Sequence, residues 1–196
     1  MKDKVTNIVI AGVGGQGVLL TSDIIAKTAL KEGWDVKKSE VHGMAQRGGS
    51  VISEVRFGEK IYSPLIKKGK ADYLLTLEKL EALRYLDYLK QDRILIVNDL
   101  KIFPMGVSLG KEKYPENIYE VLRGKTSHLL RVKALDLAEK VGNVRTMNLV
   151  LIGMLSRFLS FKKVSWEKTI ENEVPRGTFP VNMRAFRLGE EYTNIV

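Results

Sequence analysis

The sequence predicts an α/β protein: a Rossmann-like, doubly wound, mostly parallel sheet with a helical C-terminal part. Three observations predict it. Ile8-Val9-Ile10-Ala11 is a short apolar run that reads as a buried strand. It leads straight into a glycine-rich turn, Gly12-Val13-Gly14-Gly15-Gln16-Gly17, and then into a helical pattern from Leu19 to Lys31. Beyond that unit, short apolar runs keep alternating with helical patterns, the rhythm of strand–helix–strand crossovers.

The elements follow in order. Gly33 is placed to stop the first helix. Trp34–Val41 reads as a second strand, followed by an irregular loop from His42 to Gly49. Ser50–Phe57 alternates, with Val51, Ser53, Val55 and Phe57 on one side and Ile52, Glu54 and Arg56 on the other, the pattern of a half-buried strand. Ile61–Ile66 contains Pro64 and reads as an edge or a loop. Ala71–Leu77 is a buried strand, Glu78–Leu89 a helix with Leu80, Leu83 and Leu86 on one stripe, and Arg93–Asn98 the next strand. Leu100–Pro115 is a loop. Glu116–Arg123 is a short helix, Ser127–Lys133 a strand and Ala134–Val141 a helix. Three helices close the chain: Thr146–Leu159, with Met147, Val150, Leu151, Met154 and Phe158 on one apolar face, then Trp166–Glu173 and Pro180–Tyr192.

The chain has 196 residues, 44% of them hydrophobic, which suits one sizeable domain spanning 1–196. No run approaches the ~20 apolar residues that span a bilayer, and the charged start does not read as a signal peptide. These features predict a cytoplasmic chain without membrane contact. There is no cysteine, so the chain forms no disulfide and supplies no thiolate to an iron–sulfur cluster. With His42 and His128 its only histidines, no metal site is expected. The net charge of +9 is scattered over amphipathic segments, densest at Lys67-Lys68-Gly69-Lys70. No RNA-binding aromatic signature accompanies it, so no nucleic-acid partner is expected.

Two motifs carry the functional reading. Gly12, Gly14 and Gly17 fit G-x-G-x-x-G, in which glycines allow a tight turn and let a phosphate approach the helix N-terminus. A nicotinamide enzyme would also need an acid at the end of the second strand, for which Glu40 is eligible, and a substrate domain for which little chain remains. The second motif is the loop His42-Gly43-Met44-Ala45-Gln46-Arg47-Gly48-Gly49. Arg47 offers a planar fork to a carboxylate or phosphate, and Gly48 and Gly49 permit close approach. The same residues also fit a structural turn in which Arg47 caps a carbonyl. Gly106-Val107-Ser108-Leu109-Gly110 matches a hydrolase elbow in letters only, because Pro104 and Pro115 flank it. Gly124-Lys125-Thr126 lacks the first glycine of a phosphate-binding loop.

The glycine turn, the loop ending Gln46-Arg47-Gly48-Gly49-Ser50, Tyr62–Ile66, Ala71–Leu86 and Asn148–Leu155 together resemble the gamma-type subunits of the 2-oxoacid:ferredoxin oxidoreductases over essentially the whole chain. Pyruvate and 2-oxoglutarate members of that family tend to carry P-E-x-R-G-G where this chain has Met44-Ala45-Gln46-Arg47-Gly48-Gly49, so the resemblance is strongest to the beta subunits of the indolepyruvate branch. It implies a hetero-oligomer that decarboxylates an aryl 2-oxoacid oxidatively to an acyl-coenzyme A. Thiamine diphosphate and iron–sulfur clusters would belong to an alpha subunit, with coenzyme A as co-substrate and ferredoxin as acceptor. This chain has no Gly-Asp pair for a diphosphate motif and no evident catalytic residue, so it is not expected to act alone. The residues expected to line a ligand or subunit rim are Gly12, Gly14, Gly15, Gln16, Gly17, His42, Gln46, Arg47, Gly48 and Gly49. A gamma subunit for another 2-oxoacid (pyruvate, 2-oxoglutarate or branched-chain), a stand-alone nucleotide-binding enzyme and a purely structural subunit assembling through Thr146–Leu159 are the alternatives.

Overall fold

The computed structural model describes residues 5–42 and 49–193, excluding the side chain of His42. Six strands form one sheet in the order β2-β3-β1-β4-β5-β6. They are β1 (Thr6–Val13), β2 (Asp35–His42), β3 (Ser50–Gly58), β4 (Ala71–Thr76), β5 (Leu89–Asn98) and β6 (Leu129–Val132). The helices are α1 (Val18–Lys31), α2 (Lys79–Arg84), α3 (Met105–Ser108), α4 (Ile118–Lys125), α5 (Ala134–Lys140), α6 (Met147–Ser156), α7 (Lys163–Glu173) and α8 (Phe179–Glu191). Strands β1, β4, β5 and β6 are parallel, whereas β3 is antiparallel to both β1 and β2. The mostly parallel α/β fold is as the sequence predicts. The antiparallel pair has a simple cause: only residues 43–49 separate β2 from β3. A parallel return needs a crossover of a dozen residues or more, so the chain folds back as a hairpin.

Helices cover both faces. On one face, residues of α1, α5, α6, α7 and α8 form a large core with Ile8, Ile10, Val55 and Leu75. On the other, Ala82 of α2 and Ile118 and Leu122 of α4 pack with Val9, Leu74, Leu95 and Val97. Burial on both sides explains why β1 reads as a continuous apolar run; Ile8, Val9, Ile10 and Ala11 are all fully buried. Each such large aliphatic side chain contributes about 1.5–3 kcal/mol of hydrophobic stabilisation. Gly33 ends α1 as expected: its φ is +86°, its N–H donates to Leu30 and that of Trp34 to Ala29.

Several expectations need correction. β3 is buried on both faces along most of its length, not on one. The segment 59–70 covers the side that alternation left to solvent, tied down by Arg56, which donates to the Ser63 and Leu65 carbonyls at 2.7 and 3.1 Å. The helix expected to run to Leu89 ends at Arg84, and after one 3₁₀ turn at Leu86–Tyr88, Leu89 already pairs with Ala71. Strand pairing thus overrides the leucine stripe. Glu78 lies outside that helix as its N-cap, accepting from the N–H groups of Leu80 and Glu81 at 2.6 and 3.0 Å.

The third correction concerns α6. It has no single apolar face, since Asn148–Ser156 are all buried within this chain. Helix α8 lies so close that a Cβ on Gly153 would stand 2.0 Å from the Phe186 carbonyl oxygen, and one on Gly189 1.9 Å from that of Val150. These glycines let the two backbones touch. Assembly through this helix is therefore closed off while the chain is folded. Gly153→Ala is expected to force the helices apart and cost about 1–3 kcal/mol. A shifted denaturant midpoint checks this, and an unchanged midpoint would contradict the contact.

Candidate functional site

The carboxyl ends of the parallel strands are where open α/β sheets place ligands. Here the first of them runs into the glycine turn. A Cβ on Gly12 would lie 2.8 Å from Val18 Cγ2 and 3.1 Å from Leu77 Cβ, so the absence of a side chain lets α1 start against the sheet. Gly17 is the N-cap of α1, with φ +85°, and no side chain caps the helix there. The first-turn N–H groups of α1 therefore stand open at the rim, with no partner among the described residues.

Gln16 has a structural task. Its Oε1 accepts the Val13 N–H at 2.7 Å, and its Nε2 donates to the Leu77 carbonyl at 2.9 Å. Asn98, 1% exposed, donates to the same carbonyl at 3.0 Å, and its Oδ1 accepts the Ala134 N–H that opens α5. A chain of hydrogen bonds thus crosses the ends of β1, β4 and β5. Asn148 of α6 sits over Gly17, its Nδ2 3.1 Å from where a Cβ would be. It is 2% exposed, and its Oδ1 has no hydrogen-bond partner among the described residues.

The two glycine segments meet directly: the Gly14 N–H donates to the Gly49 carbonyl at 2.9 Å. Registry explains the meeting. Val13 pairs with Ser50, and His42 pairs with Val51, so the β2–β3 connection emerges beside the glycine turn. Gln46, Arg47 and Gly48 lie outside the described residues, and for His42 only the backbone is described. Beside Gly49, Ser50 hydrogen-bonds Glu81 and, at 2.8 Å, the Tyr85 hydroxyl. Glu81 is nearly buried and also accepts from Arg84 Nε at 3.0 Å.

Further along the rim, two more carboxylates are held by donors. Glu78, 1% exposed, accepts the Tyr114 hydroxyl at 2.8 Å and the Ile102 N–H at 3.2 Å. Asp99 accepts from Arg131 and from the Tyr119 hydroxyl, with Lys79 at 3.7 Å. Burial, aided by the carboxylate each one donates to, pushes both phenols well above the ordinary tyrosine range. Burial also opposes ionisation of Asp99, but the hydrogen bonds from Arg131 and Tyr119 outweigh it and hold its carboxyl below the usual range. The two phenols therefore stay protonated as donors, and Asp99 stays ionised, near neutral pH. The arrangement suits recognition and bracing more than proton transfer.

Other sequence motifs resolve against chemistry. Glu40 pairs with Lys38, and β3 stands between its strand and β1, so it is not placed to serve a ribose at the glycine turn. Ser108 lies in the single turn of α3, with its N–H on the Pro104 carbonyl, and no strand enters it. Gly124 lies inside α4, and the Thr126 hydroxyl donates to the Arg93 carbonyl. Among the described residues there is no group of three or more acidic, histidine or cysteine side chains that could hold a metal, and no helix long and apolar enough to cross a membrane. Asn98, Asn148 and Glu81 were not marked as site residues in the sequence, whereas Ser50 closed the second glycine motif. A polar residue closing an apolar strand run, as Asn98 does, was the available signal.

The family model described as pyruvate ferredoxin/flavodoxin oxidoreductase matches residues 7–192. The chain belongs to that family. It is 44% identical over 191 residues to the indolepyruvate oxidoreductase subunit IorB of Thermococcus kodakarensis, covering 93% of each chain. Its fold is similar to the pyruvate oxidoreductase subunit PORC of Thermotoga maritima, with a TM-score of 0.72, 25% identity and 96% and 97% of the two chains covered. It also aligns with 31% of the chain of a 2-oxoglutarate:ferredoxin oxidoreductase from Magnetococcus marinus, at TM-score 0.76 and 18% identity, which covers 97% of this chain. In this family member, then, the glycine turn is braced by Gln16 from within.

Gln16→Leu should leave the Val13 N–H without its acceptor and lower stability by about 1–3 kcal/mol. Chemical denaturation measures it, and a neutral result would remove the bracing role. Asp99 gives a pH test. Its carboxyl is depressed in the folded state, so its contribution is present above about pH 4 and is lost as pH falls through the folded value. Asp99→Asn should therefore lower the melting temperature near neutrality while flattening its fall on acidification. Parallel wild-type and variant pH profiles would contradict the assignment.

Proposed function

We propose that this chain is the subunit without redox cofactors of an indolepyruvate-type, aryl 2-oxoacid:ferredoxin oxidoreductase. The observation that carries the reading is the 44% identity to an indolepyruvate oxidoreductase subunit over 93% of both chains. The chain offers no cysteine for an iron–sulfur cluster. We assign thiamine diphosphate and the clusters to an alpha-type partner, coenzyme A to the role of co-substrate, and ferredoxin to that of electron acceptor of the assembled complex. Activity then belongs to the complex, in the cytoplasm, and not to this chain alone.

Within that complex the rim positions and shields. The open N-terminus of α1 attracts an anion, either a coenzyme A phosphate or a carboxylate of the partner. Asn148 stands beside it with its Nδ2 donor already over Gly17, while its buried Oδ1 has no partner among the described residues. The connection between β2 and β3 begins and ends at the same rim, at His42 and Gly49, and we assign ligand contact to Gln46 and Arg47 within it. A charge-assisted contact from Arg47 would contribute about 1.5–3 kcal/mol.

Arg47→Ala in the reconstituted complex should raise the Michaelis constant for coenzyme A by about tenfold or more. An unchanged Michaelis constant and turnover would sink the ligand role. Co-purification from the native source separates that result from the wider reading. Recovery of a large, cysteine-rich, thiamine-binding partner is expected. Recovery of the chain alone with bound nucleotide would overturn the subunit assignment.

A further inference from the structure

A cavity of 420 Å³ lies at the opposite edge of the sheet, where the parallel strands begin. Its size falls in the range of small-molecule sites. The entry to β5 shapes it. Ala71 pairs with Leu89 and Tyr73 with Ile94, so two steps along β4 match five along β5. In a regular strand neighbouring side chains point to opposite faces. The extra residues break that alternation, and Asp92, Arg93 and Ile94 line the cavity in succession. Asp92 takes up the change, with φ +52°. Glycine adopts such backbone without strain, yet this position carries a carboxylate.

The wall combines three charged groups, Asp72, Asp92 and Arg93, and the polar Thr6 and His128 with an apolar surface. Asp92 has no ion pair among the described residues. Among the described residues Arg93 pairs with Asp72 alone, at 3.9 Å through Nε, and its outer nitrogens have no partner there. Asp72 is already engaged by the Asn7 N–H at 3.1 Å. Tyr73 donates its hydroxyl to the Phe158 carbonyl, so its polar end is satisfied, and the two rings lie 6.5 Å apart. A simple anion entering here would meet two aspartates, and a simple cation would meet the guanidinium.

We propose that this cavity binds a small zwitterion with an apolar body: a free α-amino acid with an aromatic or large aliphatic side chain. The ammonium pairs with Asp92, the carboxylate with Arg93, and the side chain lies against Tyr73, Ile94 and Phe158. The site is separate from the glycine rim, and the proposal does not depend on the role given to that rim.

Calorimetric titration of the full chain with L-phenylalanine tests it, with phenethylamine and phenylpropanoate as probes that each carry one of the two charges. Saturable one-to-one binding of L-phenylalanine is expected, with both single-charge probes weaker by about tenfold or more. Asp92→Asn and Arg93→Gln should each weaken L-phenylalanine by a similar factor. Asparagine tolerates the same left-handed backbone, so the unfolding midpoint of Asp92→Asn should not move. Absence of L-phenylalanine binding, equal binding of either single-charge probe, or full affinity in Asp92→Asn would each overturn the proposal.

Discussion

The Gln16 amide holds the end of the first strand, and the rim of the sheet depends on it. Its oxygen receives the Val13 N–H and its nitrogen reaches the Leu77 carbonyl, so β1, the turn and the exit of β4 move as one unit. Asn98 extends the same chain to β5 and to the first residue of α5. Buried polar groups of this kind are costly when unpaired. Here both amides use their oxygen and their nitrogen, which fixes the position of the turn. Gly12 and Gly17 serve that geometry, one by allowing α1 against the strands, the other by its left-handed backbone.

The β2–β3 hairpin supplies the other half of the rim. In a sheet wholly wound by crossovers, the second strand would lie directly beside the first. Here β3 is inserted between them and runs the other way. That insertion moves Glu40 away from the glycine turn and brings Gly49 to Gly14 instead. A geometry suited to a ribose is exchanged for one that joins two glycine segments. Ser50 then links the rim to Glu81 and Tyr85.

The last helices act as ballast for this arrangement. Helix α6 is buried all round, and its contact with α8 is close enough for backbone carbonyls to occupy the space of two absent side chains. The same helix delivers Asn148 to Gly17, so the core of the C-terminal part and the glycine rim are mechanically one structure. At the far edge of the sheet, Phe158, just beyond α6, closes the cavity beside Tyr73.

The sequence by itself determined the class of fold and the family. Those rest on local signals: the apolar run of β1, the spacing of Gly12, Gly14 and Gly17, the stop at Gly33, and motifs whose order along the chain is preserved however it packs. Most strands were legible for the same reason, since burial leaves continuous apolar runs. Tertiary structure decided what depends on partners distant in the chain. The burial of β3 came from segment 59–70, and the early end of α2 from pairing between Leu89 and Ala71. The consecutive exposure of Asp92, Arg93 and Ile94 to one cavity came from a register shift that periodicity does not encode. Asn148 and Asn98 read as ordinary polar residues until folding buried them, because the cost of an unpaired amide exists only once water has been removed.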